Sequence, residues 1–574
     1  MNGRALRLAR IGLVAVALTA LGLAPATADA ASKGPLGHFK HLVVIFEENH
    51  SFDNLYGLWG SVDGQHVVGL SDADTAHTSQ IAQDGSTYAC LRQLDVNLTA
   101  PSPLTATCGP ESVTLGDGSV VTYSSHFQDA PFNIDTYIPA TATTCPDRDH
   151  LFSFTNGILN GQGLPGGCTR DLVHRFYHEQ YQLNGGQQNR YITGSDANAT
   201  MMGYYDTTQL PIYEYLHGSD APNYVIADHF FQGAFGGSFL NHQYFIAAAA
   251  PLFPGGTHAV LDTSGFARNN FPLYRSTFPT VDGNVTQACG LPTTRAGLAC
   301  GDYAVNTVLP WYQPTGSFAA KIPPIDDSTT PLTIGDRLSD AGVSWDYYGG
   351  GWDNAAGNVN GRGYTNGPGP ACGDPNSAPA GPDGDGKNAG YPYCPDKSFQ
   401  QHHYPFAYYT RYAPGQPGRA HLQDEQDFFH AASGGSLPAV SFVKPVGVEN
   451  EHPGYASEPN GSDHLIDLIK AVEDGPQAGN TLILVTYDEF GGQWDHVSPP
   501  GMGTTGPHDL FGPGTRIPAI LIARSLTTSG VDHTVYDTTS IMRTIEQQWN
   551  LDPVASRDAV VNGLGPAIST GRPR

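Results

Sequence analysis

The chain has 574 residues, 39% of them hydrophobic and only 14% charged, which excludes a disordered polymer and allows a large buried core. The formal charge of −26 excludes nucleic acid as a partner and weakens docking on anionic lipid. Glycine (69) and proline (44) are abundant, so long irregular loops are expected between the core elements.

At the N-terminus, Arg4, Arg7 and Arg10 precede an apolar run from Ile11 to Leu23, and Ala28-Asp29-Ala30 follows as a small-x-small cleavage site. Residues 1–30 are therefore expected to be a secretory signal peptide, leaving residues 31–574 as a single exported domain. The run is too short for a typical membrane span, so stable membrane insertion is not expected. Without those residues the net charge is near −28.

Three apolar, β-rich runs read as buried parallel strands: His41–Phe46, Thr481–Thr486 and Ile517–Ile522. Weaker strand candidates are Tyr224–Ala227, Val343–Tyr348 and Ala439–Val443. Helical spacing of apolar residues marks Ser462–Val472, with Ser462 as its N-cap, and Asp537–Trp549. Strands alternating with helices predict an α/β fold with a central, mainly parallel sheet flanked by helices. Gly349–Tyr393 reads as a Gly-rich surface insertion. The eight cysteines form an even set in an exported chain, and the simplest pairing joins neighbours: Cys90–Cys108, Cys145–Cys168, Cys289–Cys300 and Cys372–Cys394.

Functional groups in such sheets gather beyond the carboxyl ends of the strands. The first strand runs into Glu47-Glu48-Asn49, and the 481–486 strand runs into Tyr487-Asp488-Glu489. Carboxylate and amide oxygens at two strand ends are hard ligands suited to one divalent cation, although each motif alone also fits a polar turn. A Gly pair before Ser238, in Gly236-Gly237-Ser238-Phe239-Leu240-Asn241, lets the backbone approach a ligand closely, or is simply a turn. His174, His402, His403 and His452 each fit a structural role alone; together with two acidic strand ends they suit acid–base chemistry.

These motifs resemble the phosphoesterase family that contains bacterial phospholipases C and metal-dependent acid phosphatases, itself similar to the alkaline phosphatase superfamily. The resemblance rests on Glu48-Asn49-His50-Ser51-Phe52-Asp53 through Gly57, on Ser238-Phe239-Leu240-Asn241, on His452-Pro453, and on Tyr487-Asp488-Glu489 through Pro500. It continues through Gly514-Thr515-Arg516-Ile517-Pro518 and spans roughly residues 38–552. It implies an alkaline phosphatase-like fold with long loop insertions and a single catalytic domain. Glu48, Asn49, Asp488 and Glu489 would be ligands of one divalent metal ion, Ser238 the nucleophile, and His174, His402, His403 and His452 the histidines around the phosphoryl group. Two departures stand out: His50 where the family often has Arg, and a nucleophile turn without proline.

The leading expectation is a secreted, metal-dependent acid phosphatase-type phosphomonoesterase acting through a phosphoserine. The turn Gly233–His242 and the segment Phe176–Asn184 look most like the phosphatase branch. The alternatives are a phospholipase C cleaving phosphatidylcholine-like phosphodiesters and a non-catalytic metal-binding surface protein. A sulfatase would need a C-x-P-x-R motif, and none of the eight cysteines sits in one.

Overall fold

The computed structural model describes residues 34–82, 84–91, 107–114, 120–137, 171–195, 198–253, 286, 299–312, 314, 322–325, 332–364, 399–447, 449–454 and 456–572. The expected signal peptide and the pairs Cys145–Cys168 and Cys372–Cys394 lie outside these residues, as does Cys289. Cys90 and Cys108 are joined as expected, and Cys300 is disulfide-bonded.

An eight-stranded sheet organises the body. Its strands are β1 (His41–Glu47), β2 (Tyr224–Ala227), β3 (Trp345–Gly349), β4 (Leu422–Asp424), β5 (Val440–Lys444), β6 (Thr481–Tyr487), β7 (Ala519–Ile522) and β8 (Gly530–Asp532). The spatial order is β4-β3-β5-β1-β6-β7-β2-β8. β1 lies between β5 and β6 and is parallel to both. Its interior, Leu42 to Ile45, is fully buried, as are Leu482 to Leu484 of β6. Apolar side chains on both faces are what a covered parallel strand requires.

The run Ile517–Ile522 departs from expectation: its strand β7 is antiparallel to both β6 and β2. The cause is the connection. Residues 488–518 contain no helix, so the chain turns back at the edge where β6 ends instead of crossing over the sheet.

Two helices fix the sheet face near the strand ends. α1 (Ser238–Ala247) packs on β1 and β5, with Phe245 edge-on to Phe46 at 3.7 Å and to Phe442 at 5.1 Å. α2 (Thr539–Trp549) packs on α1 through a face that buries Ile541, Met542 and Ile545. The helix expected at 462–472 is longer, Glu458–Glu473 (α3). Its N-cap is Ser457, which accepts from the Asn460 amide, and not Ser462, whose hydroxyl accepts from the Ile212 amide at 2.9 Å. Pro459 is tolerated in a first turn, so the helix starts before the apolar periodicity does. The expected insertion at 349–393 also begins later than its composition suggested, because Gly349 ends β3 and Trp352 to Ala355 are buried in a short helix. Residues 365–393 lie outside the described set.

Candidate active site

The parallel register places Glu47 opposite Tyr487, so the chain leaves β1 and β6 with Glu48 and Asp488 side by side. The ladder continues one step, with the Asp488 N–H donating to the Glu47 carbonyl at 3.1 Å. Asn49 then takes a left-handed conformation (φ 64°), which Asn tolerates better than most residues. This turns its N–H onto Asp488 Oδ1 at 3.2 Å, which also accepts from the Glu489 N–H at 2.8 Å.

Ser238 closes the site as the first residue of α1. Its Oγ lies 3.3 Å from Glu489 Oε1 and 3.4 Å from both Glu48 Oε2 and Asn49 Oδ1. The turn before it needs its glycines. A Cβ on Gly236, which sits at φ +87°, would be 2.5 Å from the Phe176 nitrogen, and one on Gly237 would be 2.9 Å from the His174 ring. Asn241 braces the turn from one helical turn ahead: Oδ1 accepts from the Ala234 N–H, and Nδ2 donates to the carbonyls of Gly236 and Gly237. Glu179 braces it from below, accepting from the Gly236 N–H at 2.5 Å, Gln232 Nε2 at 2.9 Å and the Thr515 N–H at 2.7 Å.

The four expected histidines gather here. His403 Nε2 is 3.1 Å from Glu48 Oε1. His452 donates from Nδ1 to the Pro453 carbonyl, so its Nε2 accepts from Asn49 Nδ2 at 2.9 Å, and this leaves Asn49 Oδ1 facing Ser238. His174 bonds the Leu172 carbonyl through Nδ1 and places Nε2 3.4 Å from Glu489 Oε1, with its side chain 20% exposed. His402 lies against His403, ring centroids 4.5 Å apart.

Two further residues that the sequence alone does not single out join the site. Lys444, the last residue of β5, is buried and places Nζ 2.5 Å from Glu48 Oε1. It obeys the strand-end rule that singled out the acids. His242 is one helical turn beyond Ser238 and donates from Nδ1 to the Ser238 carbonyl at 2.7 Å. Its ring stacks on His403 at 5.1 Å, and its buried Nε2 has no hydrogen-bond partner.

Charge is concentrated without matching countercharge. Burial, followed by the neighbouring Asp488 carboxylate, pushes Glu48 up to about 8, with Lys444 opposing. Burial and then Asp488 hold Glu489 well above the carboxylate range, and burial raises Asp488 as well. Burial drives His242, His403 and His452 well below the usual imidazole range. Ligand atoms of Glu48, His242 and Asp488 all lie within 4.8 Å of one another, and Asp488 Oδ2 has no hydrogen-bond partner. Buried carboxylates, an amide oxygen and an orphaned oxygen facing one point fit a divalent cation.

The remaining motif residues build the frame instead. Asp53, Asp495 and Arg516 form a buried ion network, in which Arg516 bonds Asp53 at 2.9 Å and Asp495 at 3.1 Å. His496 Nδ1 adds a 2.6 Å bond to Asp53. His50 points away from Ser238, to Glu458 Oε1 at 3.0 Å and the Glu451 carbonyl at 2.9 Å. Burial opposes its charge, but Glu458 prevails and pushes it up to about 9.

Residues 39–552 match the model of the Phosphoesterase family. The chain belongs to that family. Phospholipase C A of Mycobacterium tuberculosis is 22% identical over 96% of this phosphoesterase and 82% of its own length. The non-hemolytic phospholipase C of Pseudomonas aeruginosa is 29% identical over 24% of each chain. Among solved structures, a protein in the alkaline phosphatase superfamily from Vibrio parahaemolyticus aligns at 13% identity and a TM-score of 0.20, over 41% of this chain and 52% of that one. This phosphoesterase is a hydrolase of phosphoric esters. No helix among its described residues is long and apolar enough to cross a membrane.

Proposed function

We propose that this phosphoesterase is an exported, metal-dependent phosphomonoesterase of the acid phosphatase type that works through a phosphoserine at Ser238. The observation that carries the reading is the position of Ser238 Oγ, 3.3–3.4 Å from Glu48, Asn49 and Glu489 and at the N-terminus of α1. Glu48, Asn49, Asp488 and Glu489 would hold a divalent ion, whose chemistry there would be positive charge that favours the ionised serine and polarises the phosphoryl group.

Ser238 Oγ attacks phosphorus in line, forming the Oγ–P bond as the bond to the leaving oxygen breaks. His174 is the partly exposed histidine beside Ser238, so its Nε2 is the group to protonate the leaving oxygen. The same nitrogen then takes a proton from the water that hydrolyses the phosphoserine. His452 acts through Asn49, whose amide it orients. Lys444 and His403 hold Glu48.

Ser238 stands where many phospholipase members of the family carry Thr, and the phosphatase-like segment 176–184 supplies Glu179 to the turn. The resemblance of segments 176–184 and 233–242 to the phosphatase branch is what favours a monoester substrate. The second reading is phospholipase C action on phosphodiesters, favoured by the relatives of Mycobacterium tuberculosis and Pseudomonas aeruginosa, which are phospholipases C. The Cys90–Cys108 bond suits export to an oxidising compartment.

Turnover of an aryl phosphomonoester and of phosphatidylcholine by purified protein, with and without a chelator, tests the proposal. Preferred cleavage of the monoester, lost on chelation and restored by a divalent ion, is expected. Preferred release of phosphocholine would establish the second reading, and chelator-resistant activity would contradict metal dependence.

A further inference from the structure

At the far edge of the sheet, β2 and β8 run parallel with Ala227 opposite Asp532. The next residues on each strand, Asp228 and His533, therefore emerge side by side, and the ladder continues through the Asp228 N–H to the Asp532 carbonyl at 3.2 Å. His229 follows directly. Its Nδ1 is 2.8 Å from Asp228 Oδ1, and His533 Nδ1 is 2.9 Å from both oxygens of the same carboxylate. Ligand atoms of the three residues lie within 4.8 Å of one another.

We propose that Asp228, His229 and His533 form a Zn²⁺ site separate from the Ser238 centre. Two imidazole nitrogens and one carboxylate oxygen are a borderline donor set that suits zinc better than the hard, oxygen-rich set around Ser238 does, and they leave a fourth position for water. The site is built around a rigid ligand. The Asp228 side chain is fully buried and its Oδ2 accepts from the Val68 N–H at 2.9 Å, which fixes its orientation. The imidazoles are 25% and 55% exposed, so the ion enters from solvent. Three strand spacings separate β2 from β1, roughly 14 Å. The ion ties together the ends of two strands and the Val68 segment. Arg516 Nη1 also donates to the Val68 and Asp228 carbonyls, at 2.8 and 3.0 Å, so the site backs the ion network that joins the catalytic motifs.

Calorimetric titration of metal-stripped, tag-free protein with Zn²⁺ tests the site, comparing wild type with His229→Gln and His533→Gln. Each variant is expected to lose one zinc equivalent, or to bind it at least about tenfold more weakly, while keeping phosphoesterase activity. Unchanged stoichiometry and affinity in both folded variants would overturn the proposal. Anomalous diffraction from zinc-soaked wild-type crystals is independent of how the variants fold. A peak about 2.1 Å from both Nδ1 atoms is expected, and no peak there would equally overturn it.

Discussion

Arg516 Nη2 donates to Asp53 Oδ1 at 2.9 Å across 463 residues of sequence, and its Nε donates to both oxygens of Asp495 at 3.1 Å. This one guanidinium joins the loops that leave β1 and β6. Burial alone would raise Asp53, but His496 and then Arg516 hold it below the usual carboxylate range. Asp53→Asn leaves a buried guanidinium short of countercharge and is expected to cost about 3 kcal/mol or more. Urea unfolding of the two proteins measures it; equal midpoints would show that the network contributes little.

Glu179 is fully buried and braces the nucleophile turn through the Gly236 N–H. Glu179→Gln replaces an acceptor for the Gly236 N–H and the Thr515 N–H by an amide that satisfies fewer donors. A turn displaced by a fraction of an ångström is expected to lower kcat about 10- to 100-fold, with KM changed far less. Steady-state kinetics at matched folded concentration checks this; a rise in KM at constant kcat would place Glu179 in binding instead.

Gly236 and Gly415 both have positive φ, +87° and +84°, but only Gly236 is hemmed in. Alanine at either is expected to cost about 1 kcal/mol through the backbone. Only Gly236→Ala must also push away the Phe176 backbone, so it alone should lower activity by at least about 100-fold. Parallel melting curves and rates for the two variants separate strain from displacement.

His464 Nε2 lies 3.2 Å from both oxygens of Glu425. Burial works against its charge, but the Glu425 carboxylate prevails and pushes it up to about 10. The folded state therefore holds this proton more tightly than the unfolded chain. The resulting stability is complete below about pH 6.5 and is lost as pH rises from there toward about 10. His464→Gln should cost about 2 kcal/mol near pH 6 and much less near pH 10. Thermal unfolding across that range is the check; a difference that does not vary with pH would show that the pair is not titrating.

Much of this architecture was legible because a buried parallel strand has few options: β1 and β6 are apolar on both faces and end abruptly in acids. Ser238 was legible through Gly236-Gly237, a pair that the close approach of Phe176 and His174 explains. What escaped depended on partners far away in sequence. The direction of β7 follows from a helix-free return loop, which apolarity does not encode. β4 is three residues long, too short for any periodicity. Lys444 reads as a strand-end lysine until Glu48 is placed beside it. Asp53 and Asp495 carry motif signals as strong as those of Glu48 and Asp488, yet they bind Arg516 and not the site, because a motif records constraint without saying which kind.

The proposed mechanism stands on Ser238 as the covalent nucleophile. Rapid quenching of wild-type protein during turnover of a phosphomonoester, followed by mass analysis of the peptide containing Ser238, measures this directly. One phosphoryl group is expected on that peptide, absent in Ser238→Ala, with activity of the variant lower by several orders of magnitude. An unmodified peptide together with near-wild-type activity in Ser238→Ala would contradict it and leave direct attack by water as the better account.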